Sequence, residues 1–173
     1  MKNLKIIFLI LILLNISNYS HSSEIHFIDM KKILNKSKAG KGAQEFLKKK
    51  LSQETKKFDK DQSDLRKEEK DLIAKKKLIS PEEYKKSLNE LRKKNLAHQK
   101  NRQSAANQIF KKKEKARAEL NKALQPILEK YMSENNISII IDKKSIIVGK
   151  TEIDLTDKIL KLLDTKLQSI NLN

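Results

Sequence analysis

The chain has 173 residues, no cysteine, no tryptophan, 35% charged side chains, and 39 Lys and Arg against 22 Asp and Glu, a formal net charge of +17. Three glycines and two prolines fall far below the usual share of about 12%, which argues against a many-stranded β fold and for long helices. Without cysteine there is no disulfide framework, thiolate zinc site or thiol nucleophile, and three scattered histidines do not make a metal site. Apolar content of 38% is low for a compact globe, which holds about 45%, so an extended shape is expected.

Met1 to Lys5 carries two lysines and no acid, Ile6 to Leu14 is unbroken apolar sequence, and Ser20-His21-Ser22 places small residues at alternate positions. This is the pattern of a secretory signal peptide, and the apolar run is shorter than the roughly 20 residues that span a bilayer. Cleavage is expected after Ser22. Residues 1–22 are thereby removed, the net charge falls to +15 with Lys2 and Lys5, and a cysteine-free exported chain suits the periplasm.

The charge is unevenly placed. Lys31 to Tyr131 holds 31 basic and 14 acidic side chains, whereas Met132 to Asn173 holds six of each. Two modules are expected: a small β/α body from residues 23–42 and 132–173, and a basic helical hairpin arm over 43–131.

Ile25 to Asp29 has strand character, and Met30 to Asn35 can form a helical turn. Gly40 and Gly42 read as a joint before a helix that begins near Ala43. From Leu51, apolar residues recur every seventh position at Phe58, Leu65, Leu72 and Ile79. A firm coiled coil uses two such positions per heptad, and here Glu54, Asp61 and Glu68 occupy the companion places, so a bendable helix is expected. Ser80-Pro81-Glu82-Glu83 is a helix start, with Ser as cap, Pro at the first position and Glu closing a capping box. The second helix carries a seam through Tyr84, Leu88, Leu91, Asn95, His98, Arg102, Ala105, Ile109, Lys112, Ala116, Glu119 or Leu120, Ala123 and Ile127, polar at its middle. Helices joined by a short link pack antiparallel. Ala43 to Ile79 and Pro81 to Tyr131 therefore form a prong of roughly 55 Å, with its tip near Leu78 to Tyr84.

Pro126 is expected to interrupt and kink the returning helix, and Asn135-Asn136 to end it in a left-handed conformation. Ile137 to Ile141 and Ser145 to Val148, flanking Asp142-Lys143-Lys144, read as a β-hairpin. Asp154 to Asp157 caps a last helix that buries Leu155, Ile159, Leu163 and Leu167. The fold class is mainly α with a small β body, in the order β-α-α-α-β-β-α. Such a body is marginal alone, so self-association is expected, through Ile25, Phe27 and Ile28 of the first strand, Ile137, Ile139, Ile140 and Ile141 of the second, and Ile146, Ile147 and Val148 of the third.

The run EIHFIDMKKILNKSKAGKGA from Glu24 to Ala43, the charged hairpin, Leu124-Gln125-Pro126-Ile127, Ile139-Ile140-Ile141-Asp142 and Asp154-Leu155-Thr156-Asp157 together resemble the Skp/OmpH family of periplasmic chaperones. The likeness covers essentially all of the chain after the signal peptide. It implies a homotrimer whose helical prongs enclose a cavity for unfolded outer-membrane proteins, working without ATP; no cofactor is expected. Asn136-Ile137-Ser138 departs from the family's usual Gly-aromatic pair. The family's proposed lipopolysaccharide site has no residue-by-residue match here.

A chaperone that holds clients without fuel works by many weak contacts. Basic clusters at Lys48-Lys49-Lys50, Lys75-Lys76-Lys77, Arg92-Lys93-Lys94 and Lys111-Lys112-Lys113 would attract acidic client segments, an anionic membrane surface or lipopolysaccharide, at roughly 1 kcal/mol per residue near a charged membrane. The candidate client contacts near the tip are Lys75, Lys76, Lys77, Leu78 and Ile79 on one side, and Tyr84, Leu88, Arg92, Lys93 and Lys94 on the other. For the apolar members the plainer reading is that they hold the two helices together. An enzyme is not expected, since no HExxH or GxSxG motif is present and the carboxylates lie among lysines. Two alternatives remain. An exported polyanion binder would use the positive charge, though aromatic residues for base stacking are sparse and no specific nucleic acid is expected. A coiled-coil spacer would avoid the polar seam from Asn95 to Arg102.

Overall fold

The computed structural model describes residues 24–172, so the expected signal peptide lies outside the described residues. The chain order is strand β1 (Glu24–Ile28), helix α1 (Met30–Lys36), helix α2 (Lys38–Lys75), helix α3 (Pro81–Glu134), strand β2 (Ile137–Asp142), two single 3-10 turns (Lys143–Ser145 and Thr151–Ile153) and helix α4 (Thr156–Lys166). At 38 residues, α2 is about 57 Å long.

Side-chain caps set the first corners. Asp29 Oδ1 accepts the Lys32 N–H at 2.7 Å and opens α1. Ser37 then ends α1 and opens α2, with its Oγ accepting the Gly40 N–H at 3.1 Å. The break thus falls at Ser37, and the expected joint at Gly40 and Gly42 is instead part of the first two turns of α2. Gly40 is needed for close approach: a Cβ there would lie 1.9 Å from the Leu34 carbonyl oxygen. Gly42 has open space beside it.

The two long helices form the hairpin. α2 ends at Lys75, short of the expected Ile79, and Leu78 N–H bonds the Lys75 carbonyl at 2.8 Å within the reversing turn. The residues up to Ser80 are used in that reversal because Ser80 adopts extended geometry (ψ 153°) to cap α3. The capping box is complete: Glu83 N–H donates to Ser80 Oγ, and Ser80 N–H to Glu83 Oε2, both at 3.2 Å. Pro126 does not interrupt α3, which runs through it. A proline removes one N–H from the ladder, and here buried Leu124 and Ile127 anchor the helix on either side. Asn136, with φ of 54°, then supplies the left-handed turn.

The returning chain pairs β2 parallel to β1, with Ile25 opposite Ile139 and Phe27 opposite Ile141. The whole arm is therefore the crossover of a β-α-β unit. The expected third strand at Ser145–Val148 is absent; Ser145 closes a 3-10 turn, and Ile147 and Val148 beyond it are 100% and 88% exposed. Asp142-Lys143-Lys144 lacks the glycine or asparagine that a tight hairpin turn requires. Asp142 Oδ1 instead accepts the Lys144 N–H at 3.3 Å and curls the chain away. The other edge of β1 is occupied by Leu155, whose N–H donates to the Phe27 carbonyl at 2.9 Å.

One core closes the body. Ile28, Ile33 and Ala39 meet Leu120, Leu124 and Ile127 of the α3 root, Ile137 of β2, and Leu155, Ile159 and Leu163 of the last helix. Thr156, itself buried, ties the ends together by accepting the Asp29 N–H at 2.8 Å. Lys32 pairs with Asp157 at 2.7 Å; that hydrogen bond holds its ammonium above the ordinary value of 10.5.

Candidate functional site: the arm and its interrupted seam

The heptad spacing of α2 and the four-and-three spacing of α3 bring together separate apolar stations. Near the tip, Leu65 and Leu72 pack on Leu91, with Ile79, Tyr84 and Leu88 beside them. At the root, Ala43 and Ala116 meet, flanked by Phe46 and Leu47. Between the stations a single aromatic contact bridges the helices: His98 meets Phe58 edge-on at 5.7 Å, and its Nε2 lies 3.2 Å from the Phe58 carbonyl oxygen. Below it, Leu51 is 53% exposed, and a cleft of about 240 Å³ opens between the helices beside Phe58, Arg102, Ala105 and Ile109. Side chains that do not close a seam leave neighbouring turns without packing partners. The arm is stapled at both ends and loose between.

The expected client residues divide into two groups. Ile79, Tyr84 and Leu88 are half-buried and pack on the tip station, so they hold the hairpin closed. Leu78 is 81% exposed, and Lys75, Lys76, Lys77, Arg92, Lys93 and Lys94 lie on the surface. Lys76 sits over the Tyr84 ring at 5.7 Å, and Lys94 pairs with Glu68. Exposed pairs of this kind contribute about 0–1 kcal/mol.

Ile73, Leu96 and Phe110 are also outward-facing, at 59%, 63% and 63% exposure. Leu96 was missed by the sequence reading, although it falls one position off the α3 seam after Asn95, which puts it on another face. Also unforeseen is a tip cleft of about 720 Å³ where Asp64, Glu68, Asp71, Glu83 and Glu90 gather around Lys67, Lys75 and Lys86. The signal was present: Asp64, Glu68 and Asp71 share a helical face by their spacing. Among the described residues, no group of His, Cys, Asp and Glu side chains could hold a metal ion, and no helix is long and apolar enough to cross a membrane.

The residues expected at subunit contacts also separate. Ile28 and Ile137 are taken up by the chain's own core, and Phe27 is covered, with Lys143 5.8 Å above its ring. Ile140, Ile141 and Ile146 are half-buried. Ile25 and Ile139, paired across the two strands, are each about half exposed, at 49% and 50%, and Ile147 and Val148 are open to solvent.

A two-stranded body with a long basic hairpin as its crossover defines a narrow structural class. Residues 24–163 match the family described as OmpH, outer membrane protein (OmpH-like), and the chain belongs to that family. No curated protein matches it. Among solved structures, a candidate outer membrane chaperone (OmpH-like) from Caulobacter crescentus CB15 superposes with a TM-score of 0.79 at 20% identity, over 85% of this chain and 87% of that one. At that identity the likeness establishes the fold.

Proposed function

We propose that this protein is an ATP-independent holding chaperone of the periplasm, which binds unfolded outer-membrane proteins between the arms of a homotrimer and keeps them from aggregating. It acts by binding, without a catalytic step or cofactor. Family membership supports the chaperone role. The observation that carries the mechanism is the arm itself: 31 basic side chains against 14 acidic ones from Lys31 to Tyr131, with exposed Ile73, Leu78, Leu96 and Phe110 set among them. Scattered apolar residues on a charged surface give many shallow contacts, each weak enough to release without fuel. The loose middle of the seam lets the arms bend around clients of different size. Ile25, Ile139, Ile147 and Val148 supply the apolar surface through which subunits join, since a body this small needs partners for stability.

The test dilutes an unfolded outer-membrane barrel protein from urea into the full chain, with an unfolded soluble globular protein as control, and follows turbidity. Selective suppression for the barrel protein is expected. Equal indifference to both favours a spacer, and retention on duplex DNA that survives about 300 mM salt, where non-specific phosphate binding weakens steeply, favours the polyanion reading.

A further inference from the structure

The segment after α4 returns along the arm. It leaves through an extended Leu167 (φ −130°, ψ 101°) and continues without regular secondary structure to Leu172. Leu172 is 3% exposed and lies in the root station with Ala43 and Ala116; Ile170 packs there too, while Asn171 between them faces outward. The ammonium of Lys112 donates to the Leu172 carbonyl oxygen and sits 5.7 Å over the Phe46 ring. The seat thus engages apolar side chains at alternate positions and a main-chain carbonyl of its occupant.

We propose that this seat, formed by Ala43, Phe46, Leu47, Lys112 and Ala116, is a binding site for extended polypeptide with alternating apolar residues, and that residues 170–172 are its resident occupant, displaced when such a segment arrives. Alternate apolar side chains are the pattern of strands destined for a transmembrane barrel, and strand recognition elsewhere combines main-chain bonds with pockets for every second side chain. The site deepens the chaperone reading by giving the arm a sequence-tolerant station at its root. A resident segment lowers the apparent affinity by the fraction of time it holds the seat, so it also guards an apolar groove against self-association.

The test uses a fluorescein-labelled decapeptide alternating leucine with asparagine and serine, titrated into the full chain by anisotropy. Ile170→Ser with Leu172→Ser empties the seat, and binding should tighten about tenfold; unchanged or weaker binding by a variant of normal helix content overturns the proposal. Adding Phe46→Ser to that variant should abolish the gain. On the unaltered chain, the free pentapeptide of residues 168–172 should compete with the probe, and failure to compete overturns the proposal without any substitution. Turbidity with unfolded barrel protein reports separately on the chaperone reading: suppression by the unaltered chain with no change in peptide affinity on emptying the seat removes the site alone. Loss of suppression with intact peptide competition removes the holding role alone.

Discussion

His98 on the returning helix reaches across the hairpin to Phe58, its Nε2 3.2 Å from that residue's carbonyl oxygen and its ring 5.7 Å from the phenyl ring. Forty residues apart in sequence, these two make the principal link between the apolar stations at the root and the tip. His98→Ala should therefore loosen the middle of the arm and leave the body intact. A loss of about 1–2 kcal/mol in local opening is expected, read as faster hydrogen exchange around residues 54–62 and 95–102 with no change at Ile159 or Leu163.

The two glycines at the start of α2 should respond with opposite sign. Gly40→Ala places a methyl 1.9 Å from the Leu34 carbonyl oxygen and 2.8 Å from Ser37 Oγ, and should destabilise by about 1–3 kcal/mol or more. Gly42→Ala meets nothing within 4 Å and removes a flexible residue from a helix, stabilising by about 0.5–1 kcal/mol. Urea midpoints at one fixed protein concentration rank the variants; equal midpoints would remove the close-approach explanation.

Leu91 and Ile73 separate packing from capture. Leu91 is 3% exposed between Leu65 and Leu72, and Leu91→Ala should cost about 2–4 kcal/mol of arm stability. Ile73 is 59% exposed, so Ile73→Ser should stay within about 0.5 kcal/mol. Combined with Leu78→Ser, it should weaken client capture in the turbidity assay while leaving the urea midpoint in place.

Thr156 joins the two ends of the body. Its Oγ1 accepts the Asp29 N–H at 2.8 Å and donates to Asp154 Oδ1. Thr156→Val keeps the shape and removes both bonds, leaving a part-buried N–H without its partner. A loss of about 1–3 kcal/mol is expected, with the Asp29 amide exchanging faster than its neighbours; unchanged exchange there would show that the bond is not held in solution.

Local chemistry in the sequence was a good guide wherever a signal and its consequence lie within a few residues. Ser80 and Glu83 announced their capping box, Asn136 its left-handed turn, and Leu155, Ile159 and Leu163 the buried face of the last helix. It failed where distant packing decides. Gly40 looked like a joint because nothing local shows that the Leu34 carbonyl will press against it. Ser145 to Val148 had β-branched residues but no hairpin turn, and the open edge of β1 was taken by Leu155. Among the arm lysines, sequence gave the density of charge but not that Lys112 would turn inward to hold the Leu172 carbonyl; only the paths of three separate segments bring that pair together.

The most direct measurement is the mass, by light scattering, of the protein mixed with a barrel protein diluted from urea. A holding chaperone that works through its arms should give a clear solution and a single complex of three chains with one client, and raising salt from about 50 to 500 mM should weaken it as screening shortens from well above 8 Å to less. A solution that turns turbid, with the chain scattering as a lone subunit at every salt concentration, would contradict it.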